Sequence, residues 1–359
     1  MLTINSNRQT EFSHKLLKND LTAMLVFGHE NIQYLTGFTG NAAYLIASHT
    51  SYTLITDYRY VNRAKQESHN CNVICRDREN EALGVCINRL ITDAGFIGFD
   101  AAYVTVAMWQ DITRDLKCQL QPITGLIEEL RSIKDDWEVR CIRKAAEIAD
   151  AALADTLEQV KAGITEKQLA ASLDYRMQQL GSDGVSFETI LLFGTRSALP
   201  HGKPSDVQLR EGDFILVDFG AVVNGYRSDM TRTYVYKTPT QEQQHMFDTV
   251  LKAHTAAISE VCSGAECATV NDAAANIMGA GGYQKYSGKG IGHGLGLFLH
   301  EAPFITTKNK TRLDTGNVIT IEPGIYIPEI GGVRIEDDIL VTRDGYECLT
   351  FAPKKFILE

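Results

Sequence analysis

The stretch that decides the fold is DFILVDFGAVVNGYRSDMTRTYVY, residues 213–236. Its central Asn-Gly lies between two apolar runs, a strong hairpin signal because both residues adopt positive φ. A two-residue turn pairs Val223 with Tyr226 and, in the same register, Asp218 with Thr231. Asp229 is then the diagonal neighbour of Asp218 on one face, roughly 7 to 8 Å away. The hairpin is therefore expected to bring two carboxylates together.

The apolar neighbours of Asp218 predict that it is buried. Two buried like charges in one place are costly unless cations neutralise them. A bound metal is the simplest solution. The alternative is that Asp218 merely ends a strand and Asp229 caps a loop, since carboxylates also serve turns.

Three further groups downstream favour the metal. His293 and His300 lie seven apart in a Gly-rich strand context, although a lone histidine on an apolar segment is more often a core residue. Glu322 ends an apolar strand, and Glu336 lies on the next strand, two residues from Arg334 and on the same face. Four carboxylates would carry a charge of about −4, which two divalent cations cancel. Mn, Co or Zn suit this donor set, with Mg or Fe as further options.

Composition excludes several classes of function. The chain has 359 residues, 35 of them basic and 45 acidic, for a formal charge of −10. No basic stripe is present that would bind nucleic acid. No run approaches the ~18 apolar residues of a membrane helix, and the N-terminus has no signal-peptide pattern. We therefore expect a cytoplasmic protein with no nucleic-acid or membrane partner. Its eight scattered cysteines are interpreted as reduced.

Patterning divides the chain near Pro122. Before Pro122, short apolar runs alternate with segments whose apolar residues have helical spacing. This alternation predicts an α/β domain of roughly 125 residues. Its predicted strands are 21–27, 43–46, 52–55 and 96–99, and its predicted helices 60–68 and 79–91. After it, a long helix is predicted at 136–160, with helices at 166–180 and 241–261. Predicted strands at 213–221, 225–236, 317–327 and 332–341 are not in βαβ alternation, so an α+β fold with a mainly antiparallel sheet is expected.

Five motifs in order resemble those of the pita-bread metallopeptidases: VDFG, SDMTRT, GHGLGLFLHE, IEPGIY and GVRIED. The resemblance is closest to the proline-peptidase branch, the Xaa-Pro aminopeptidases and Xaa-Pro dipeptidases (prolidases). NIQYLTGFTG from Asn31 and TDYRY from Thr56 resemble the creatinase-type N-terminal domain of that branch. The resemblance implies an α+β protein with a C-terminal pita-bread fold and a smaller α/β creatinase-type domain. We expect that domain at 1–126, a linker at 127–136 and the catalytic domain at 137–359.

The resemblance also implies a role for each of the metal-site residues. Asp218 matches the ligand of one metal, Asp229 and Glu336 match bridging carboxylates, and His293 with Glu322 matches the ligands of the second metal.

The resemblance assigns the remaining residues to substrate and support. His201 matches a histidine near the substrate carbonyl, and His300 one that stabilises the oxyanion. Glu322 would also move the proton. Tyr326 and Arg334 match residues around the metal-site carboxylates.

The implied function is an Xaa-Pro aminopeptidase with two divalent cations per subunit, manganese first and cobalt or zinc as alternatives. Its substrates would be small peptides with proline in the second position, and it would form a homodimer. The TGFTG stretch at 36–40 favours the aminopeptidase; the alternative is an Xaa-Pro dipeptidase. More distant is a non-catalytic pita-bread binding module, and a creatinase-like amidinohydrolase would not need the metal ligands. Lys289 and Phe298 depart from the histidine and acidic residue common in relatives, so proline selectivity rests less firmly on the sequence than hydrolysis does.

Overall fold

The computed structural model describes residues 2–91 and 95–359. The chain divides into two compact units, Met1–Arg131 and Ser132–Glu359. Each unit has its own sheets and its own buried apolar core. Within the described ranges, none of the helices has both the length and the apolar character needed to cross a membrane.

The N-terminal unit is built on one six-stranded sheet. Its strands are β1 (Ala23–Val26), β2 (Ala43–Ser48), β3 (Tyr52–Thr56), β4 (Asn72–Cys75), β5 (Ile97–Asp100) and β6 (Leu120–Ile123). Their spatial order is β4-β3-β2-β1-β5-β6, with β2 antiparallel to both of its neighbours and the other pairs parallel. The helices up to the unit boundary are α1 (Leu2–Lys18), α2 (His29–Thr36), α3 (Val61–Glu67), α4 (Leu83–Leu90), α5 (Val106–Asp115) and α6 (Glu128–Ser132).

The four strands predicted for this unit are confirmed as β1, β2, β3 and β5. The sequence did not reveal β4 and β6, which form the two edges of the sheet. Neither of them contains a fully buried residue, so their apolar pattern is weak. The predicted helix 60–68 is α3, whereas the helix predicted at 79–91 begins only at Leu83. Asp77 accepts hydrogen bonds from the backbone N–H groups of Glu79 and Asn80 and holds that segment in a turn.

The C-terminal unit combines four helices with two larger sheets and two short ribbons. The helices are α7 (Asp136–Leu157), α8 (Glu166–Gln179), α9 (Gln241–Ser259) and α10 (Cys267–Ala280). The strands are β7 (Ile190–Phe193), β8 (Phe214–Phe219), β9 (Val222–Val223), β10 (Tyr226–Arg227), β11 (Met230–Tyr236), β12 (Gly290–Gly294), β13 (Glu301–Thr306), β14 (Val318–Ile321), β15 (Gly324–Ile327), β16 (Gly331–Arg334), β17 (Asp337–Thr342), β18 (Gly345–Cys348) and β19 (Ile357–Leu358).

The two larger sheets are covered by different helices. One sheet has the order β19-β11-β8-β7 and shares a core with α7 and α8. The other has the order β13-β12-β14-β17-β18 and shares a core with α9 and α10. Except for β11 with β19, the pairs in these sheets are antiparallel. The predicted α+β class with mainly antiparallel pairing is confirmed.

Helix α7 begins where the sequence predicted and ends three residues earlier, at Leu157. The Asp135 side chain accepts hydrogen bonds from the N–H groups of Trp137 and Glu138, which caps the first turn. On the predicted apolar face, Ile142 and Leu153 are buried. Each such side chain contributes roughly 1.5–3 kcal/mol through burial.

Three predicted long strands are wrong, because each is broken into two. The run 225–236 divides into β10 and β11 around Ser228 and Asp229, the run 317–327 into β14 and β15, and the run 332–341 into β16 and β17. Pro323 lacks the N–H that a continuous ladder needs. At the break between β16 and β17, Glu336 donates its N–H to the Thr231 carbonyl, 3.1 Å away, and not to a neighbouring strand of the same ladder. The prediction that Arg334 and Glu336 share one strand is therefore also wrong. The carboxylates of Asp229, Glu322 and Glu336 all lie at strand breaks.

Candidate metal centre

The hairpin predicted around Asn224-Gly225 is confirmed. The two turn residues have φ of 53° and 84°, Val223 pairs with Tyr226, and Asp218 pairs with Thr231. Asp218 thus lies near the end of β8 and Asp229 directly before β11, at the same end of the hairpin.

The second sheet places His293 and Glu322 side by side. The His293 N–H donates to Oγ1 of Thr320 at 3.2 Å, and the Glu322 N–H donates to the Ile291 carbonyl at 2.7 Å. This approach of β12 and β14 requires glycine at position 292, where a Cβ would lie 1.9 Å from the Thr320 carbonyl oxygen. The glycine-rich run therefore serves to seat the imidazole next to the carboxylate.

Glu336 is fixed between the two sheets. Its carboxylate accepts a hydrogen bond of 2.6 Å from Oγ1 of Thr231, and its carbonyl accepts one of 2.5 Å from Arg232. Next to it, the Asp338 carboxylate accepts the N–H of Asp229 at 3.0 Å. The backbones that carry Asp229 and Glu336 are thus held by neighbouring groups.

The structure brings all five predicted metal ligands to one cavity of about 830 Å³. One ligand atom from each of Asp229, His293 and Glu336 lies within 4.8 Å of the other two. Nε2 of His293 is 3.7 Å from Oδ2 of Asp229 and 3.4 Å from Oε1 of Glu322. Oδ1 of Asp218 is buried and, among the described residues, has no hydrogen-bond partner. An unsatisfied buried carboxylate oxygen beside three further acids fits a divalent cation.

Electrostatics support the same interpretation. Burial, followed by repulsion from Glu336 and Asp218, raises the pKa of the Asp229 carboxyl well above its usual range. Burial, followed by repulsion from Glu322 and Asp218, raises the pKa of the Glu336 carboxyl in the same way. The acids therefore repel one another, and a cation between them would relieve that repulsion.

Arg334 contacts this group of acids, and Tyr326 contacts Arg334. The buried guanidinium of Arg334 donates to Asp218 at 2.5 Å, to Oγ1 of Thr231 at 2.9 Å and to the Tyr326 hydroxyl at 2.7 Å. Burial raises the pKa of the Tyr326 phenol. Arg334 therefore fixes the Asp218 carboxylate, and the Tyr326 hydroxyl in turn holds Arg334.

The two remaining predicted histidines line the same cavity. The His300 ring packs edge-on against the His293 ring, with 4.4 Å between centroids. Partial burial, followed by the neighbouring His293 and His201, lowers the pKa of the His300 imidazole. His201 is exposed on the wall, just after the short 3₁₀ helix Gly194–Ala198. His300 is thus favoured in its neutral form, which can still donate one hydrogen bond.

Several residues of this region were not singled out by the sequence. Lys203 and Lys285 line the cavity. Lys134 forms a buried ion pair of 2.7 Å with Glu301, the residue after His300. Arg232 stood in a quoted motif without a role, although a charged residue inside an apolar strand is itself a signal of a buried polar network.

Comparison with known proteins gives the following matches. The sequence model of Metallopeptidase family M24 matches residues 140–343, and that of the Creatinase/Prolidase N-terminal domain matches residues 8–133. An Xaa-Pro dipeptidase of Pyrococcus horikoshii is 34% identical over 95% of this chain and 95% of its own.

Two solved structures show the same similarity. The Xaa-Pro dipeptidase from Bacillus anthracis superposes with a TM-score of 0.94 at 32% identity and covers 99% of this chain and 100% of its own. The X-Pro aminopeptidase from Thermotoga maritima gives a TM-score of 0.90 at 32% identity, covering 98% and 99%.

Proposed function

Since this chain belongs to metallopeptidase family M24, we propose that it hydrolyses Xaa-Pro dipeptides. Membership implies a divalent metal cofactor and a hydrolytic metallo-exopeptidase. The observation that carries the proposal is the convergence of ligand atoms from Asp229, His293 and Glu336 within 4.8 Å, next to the unpartnered Oδ1 of Asp218.

The ligand roles are part of the proposal. Asp218, Asp229, His293, Glu322 and Glu336 would hold two cations, with manganese first and cobalt or zinc as alternatives. When bound, such cations polarise a peptide carbonyl and lower the pKa of water.

Glu322 is the proposed proton acceptor. Its side chain is 28% exposed, against 6% for Asp229 and 11% for Asp218. It is therefore the carboxylate best placed to take a proton from water and return it to the leaving proline nitrogen. This role requires an ionised Glu322 at the start of the reaction.

His300 and His201 are proposed to bind the reacting peptide. A neutral His300 can donate its ring N–H to the carbonyl oxygen as negative charge develops there. His201, which lines the same cavity, would hold the substrate carbonyl. Arg334 and Tyr326 would keep Asp218 in place while this happens.

A dipeptide substrate is favoured over a longer peptide by the relatives. The Pyrococcus and Bacillus proteins are named Xaa-Pro dipeptidases, and these names favour the dipeptidase. The aminopeptidase remains the second candidate, because the Thermotoga structure is named an X-Pro aminopeptidase.

The test begins with protein stripped of metal by a chelator and reloaded with manganese. We expect Ala-Pro to be cleaved and Ala-Pro-Ala to be cleaved poorly. Efficient cleavage of the tripeptide would select the aminopeptidase, and cleavage of neither peptide would overturn the Xaa-Pro proposal. Reloading with cobalt or zinc in parallel identifies the most active metal.

Three further expectations accompany the proposed function. The first is the domain division at 1–126, 127–136 and 137–359, which limited proteolysis would test. The second is a homodimer, which sedimentation equilibrium would reveal as twice the chain mass. The third is a cytoplasmic location, which cell fractionation would test.

A further inference from the structure

The charges that line the catalytic cavity are not evenly paired. Among its lining residues, the lysines and arginine are Lys203, Lys285 and Arg334. Arg334 is paired with Asp218, and Lys203 is paired with Glu188 at 2.7 Å. Within residues 2–91 and 95–359, the structure records no carboxylate paired with Lys285. Lys285 is therefore the lysine of this wall that, in the part of the chain the structure describes, has no carboxylate partner for a ligand to displace.

Lys285 is held at this wall by its neighbours. Its Nζ lies 4.6 Å from the centroid of the Tyr286 ring, in a cation–π contact. Tyr286 itself packs against the apolar core below α9 and α10. The next residue, Ser287, forms a β-bridge with Ile325, which precedes Tyr326 of the metal centre. Lys285 is exposed and lines the same cavity as the acids.

The size of the cavity determines which part of a bound substrate can reach the Lys285 ammonium group. A cavity of 830 Å³ corresponds to a sphere about 12 Å across, within the usual range for ligand pockets. A dipeptide extends over at most about 7 Å. When the scissile carbonyl of a dipeptide lies at the acids, the next residue carries the C-terminal carboxylate. That carboxylate still lies inside the cavity. A longer peptide has a neutral amide at that position.

We propose that Lys285 binds the C-terminal carboxylate of the substrate and thereby selects free dipeptides over longer peptides. With the carboxylates of the metal centre balanced by bound cations, Lys285 adds a positive charge to the cavity that can pair with the carboxylate of a free dipeptide. This specificity role rests on the proposed function, because it assumes that the scissile bond lies at the acids.

The experiment compares Ala-Pro with Ala-Pro-amide, which keeps the proline ring but lacks the carboxylate. In the manganese-loaded wild-type protein, Ala-Pro should be the better substrate. Lys285→Met should raise KM for Ala-Pro at least about tenfold with kcat little changed, since it removes a charge-assisted hydrogen bond. The same variant should leave KM for the amide unchanged. Lys285→Arg, which keeps the charge, should restore most of the preference for Ala-Pro.

The control is Lys308→Met, which removes an exposed lysine in the turn after β13 and should alter neither substrate. Bound manganese and circular dichroism are measured for every variant and should match wild type. Equal losses on Ala-Pro and the amide, or no loss on either, would overturn the role of Lys285 while leaving the proposed function intact. An inactive wild-type protein would overturn both.

Discussion

Arg334 holds Asp218 through an ion pair of 2.5 Å between Nη2 and Oδ2, and both side chains are almost completely buried. The same guanidinium donates to Thr231 and Tyr326. The planar fork of arginine thus joins three parts of the metal centre, a geometry that lysine cannot reproduce.

Arg334→Lys should therefore reduce kcat/KM for Ala-Pro by about 10- to 100-fold, because Asp218 loses a directional charged partner. Steady-state kinetics of the metal-loaded protein measure this. Tyr326→Phe is the matched variant, since it removes only the hydroxyl that accepts from Arg334, and a smaller loss is expected. An Arg334→Lys variant with wild-type activity would show that Asp218 does not need this partner.

Asp229→Ala should abolish turnover and lower the amount of bound metal. Asp229 supplies one of three convergent ligand atoms and is buried among other acids. Metal content by atomic emission and hydrolysis of Ala-Pro are the two measurements. Full metal occupancy with normal activity would refute the proposed ligand set.

Gly292→Ala should displace His293, because a Cβ at this position would lie 1.9 Å from the Thr320 carbonyl oxygen. We expect weaker metal binding and a lower melting temperature, measured by titration calorimetry and thermal unfolding. Gly279→Ala is the control: a Cβ there meets nothing within 4 Å. Since Gly279 lies inside α10, alanine should stabilise the protein by about 0.5–1 kcal/mol. Equal behaviour of the two variants would contradict the close approach of β12 and β14.

Lys134→Met should destabilise the C-terminal unit by about 3–5 kcal/mol, because it takes a cation away from the buried carboxylate of Glu301. Since Glu301 follows His300, kcat should fall as well. Urea unfolding and Ala-Pro hydrolysis measure the two effects. Lys144→Met, which breaks an exposed pair with Glu147, should leave both quantities unchanged. A stable and fully active Lys134→Met protein would argue against a positioning role for this pair.

The N-terminal unit should show its own pH dependence through Asp100. Burial raises the pKa of this carboxyl from 3.8 to about 7, although Asn31 donates to it at 2.9 Å. The folded state therefore binds a proton that the unfolded state releases, so stability falls as pH rises from about 4 to 7. Asp100→Asn should remove on the order of 2–4 kcal/mol of this pH dependence. Urea unfolding of both proteins at pH 5 and pH 7 tests this prediction. If the free energy of unfolding changes between the two pH values by the same amount in Asp100→Asn as in wild type, the raised pKa is contradicted.

The sequence predicted best what depends on local conformation. Asn224 and Gly225 favour positive φ whatever their surroundings. The register that pairs Asp218 with Thr231 therefore followed from a few residues. The start of α7 at Asp136 followed from the spacing of apolar residues along that helix. The breaks at Asp229, Glu322 and Glu336 did not, because they depend on hydrogen bonds between strands far apart in the sequence, such as that from Glu336 to Thr231.

Side-chain pairs across the fold were also beyond sequence reasoning. Lys134 and Glu301 are 167 residues apart, and no local pattern relates them. Lys285 lies in the three-residue 3₁₀ helix Gln284–Tyr286, which is too short to show periodic spacing. Roles for His201 and His300 came from resemblance alone, and the structure now places both on the cavity wall.

The acids and the imidazole come from two sheets, each covered by its own pair of helices. A cation shared by Asp229 and His293 would therefore add a link between two sheets that are already joined by Phe214 and Val235 in the core and by the Thr231–Glu336 hydrogen bond. Metal binding should stabilise the folded chain according to concentration and affinity, and it should act chiefly on the junction between these layers. Without cations, the repulsion among Asp229, Glu336 and their neighbouring acids stays at this junction, so the catalytic unit is expected to unfold at a lower temperature than the metal-saturated protein.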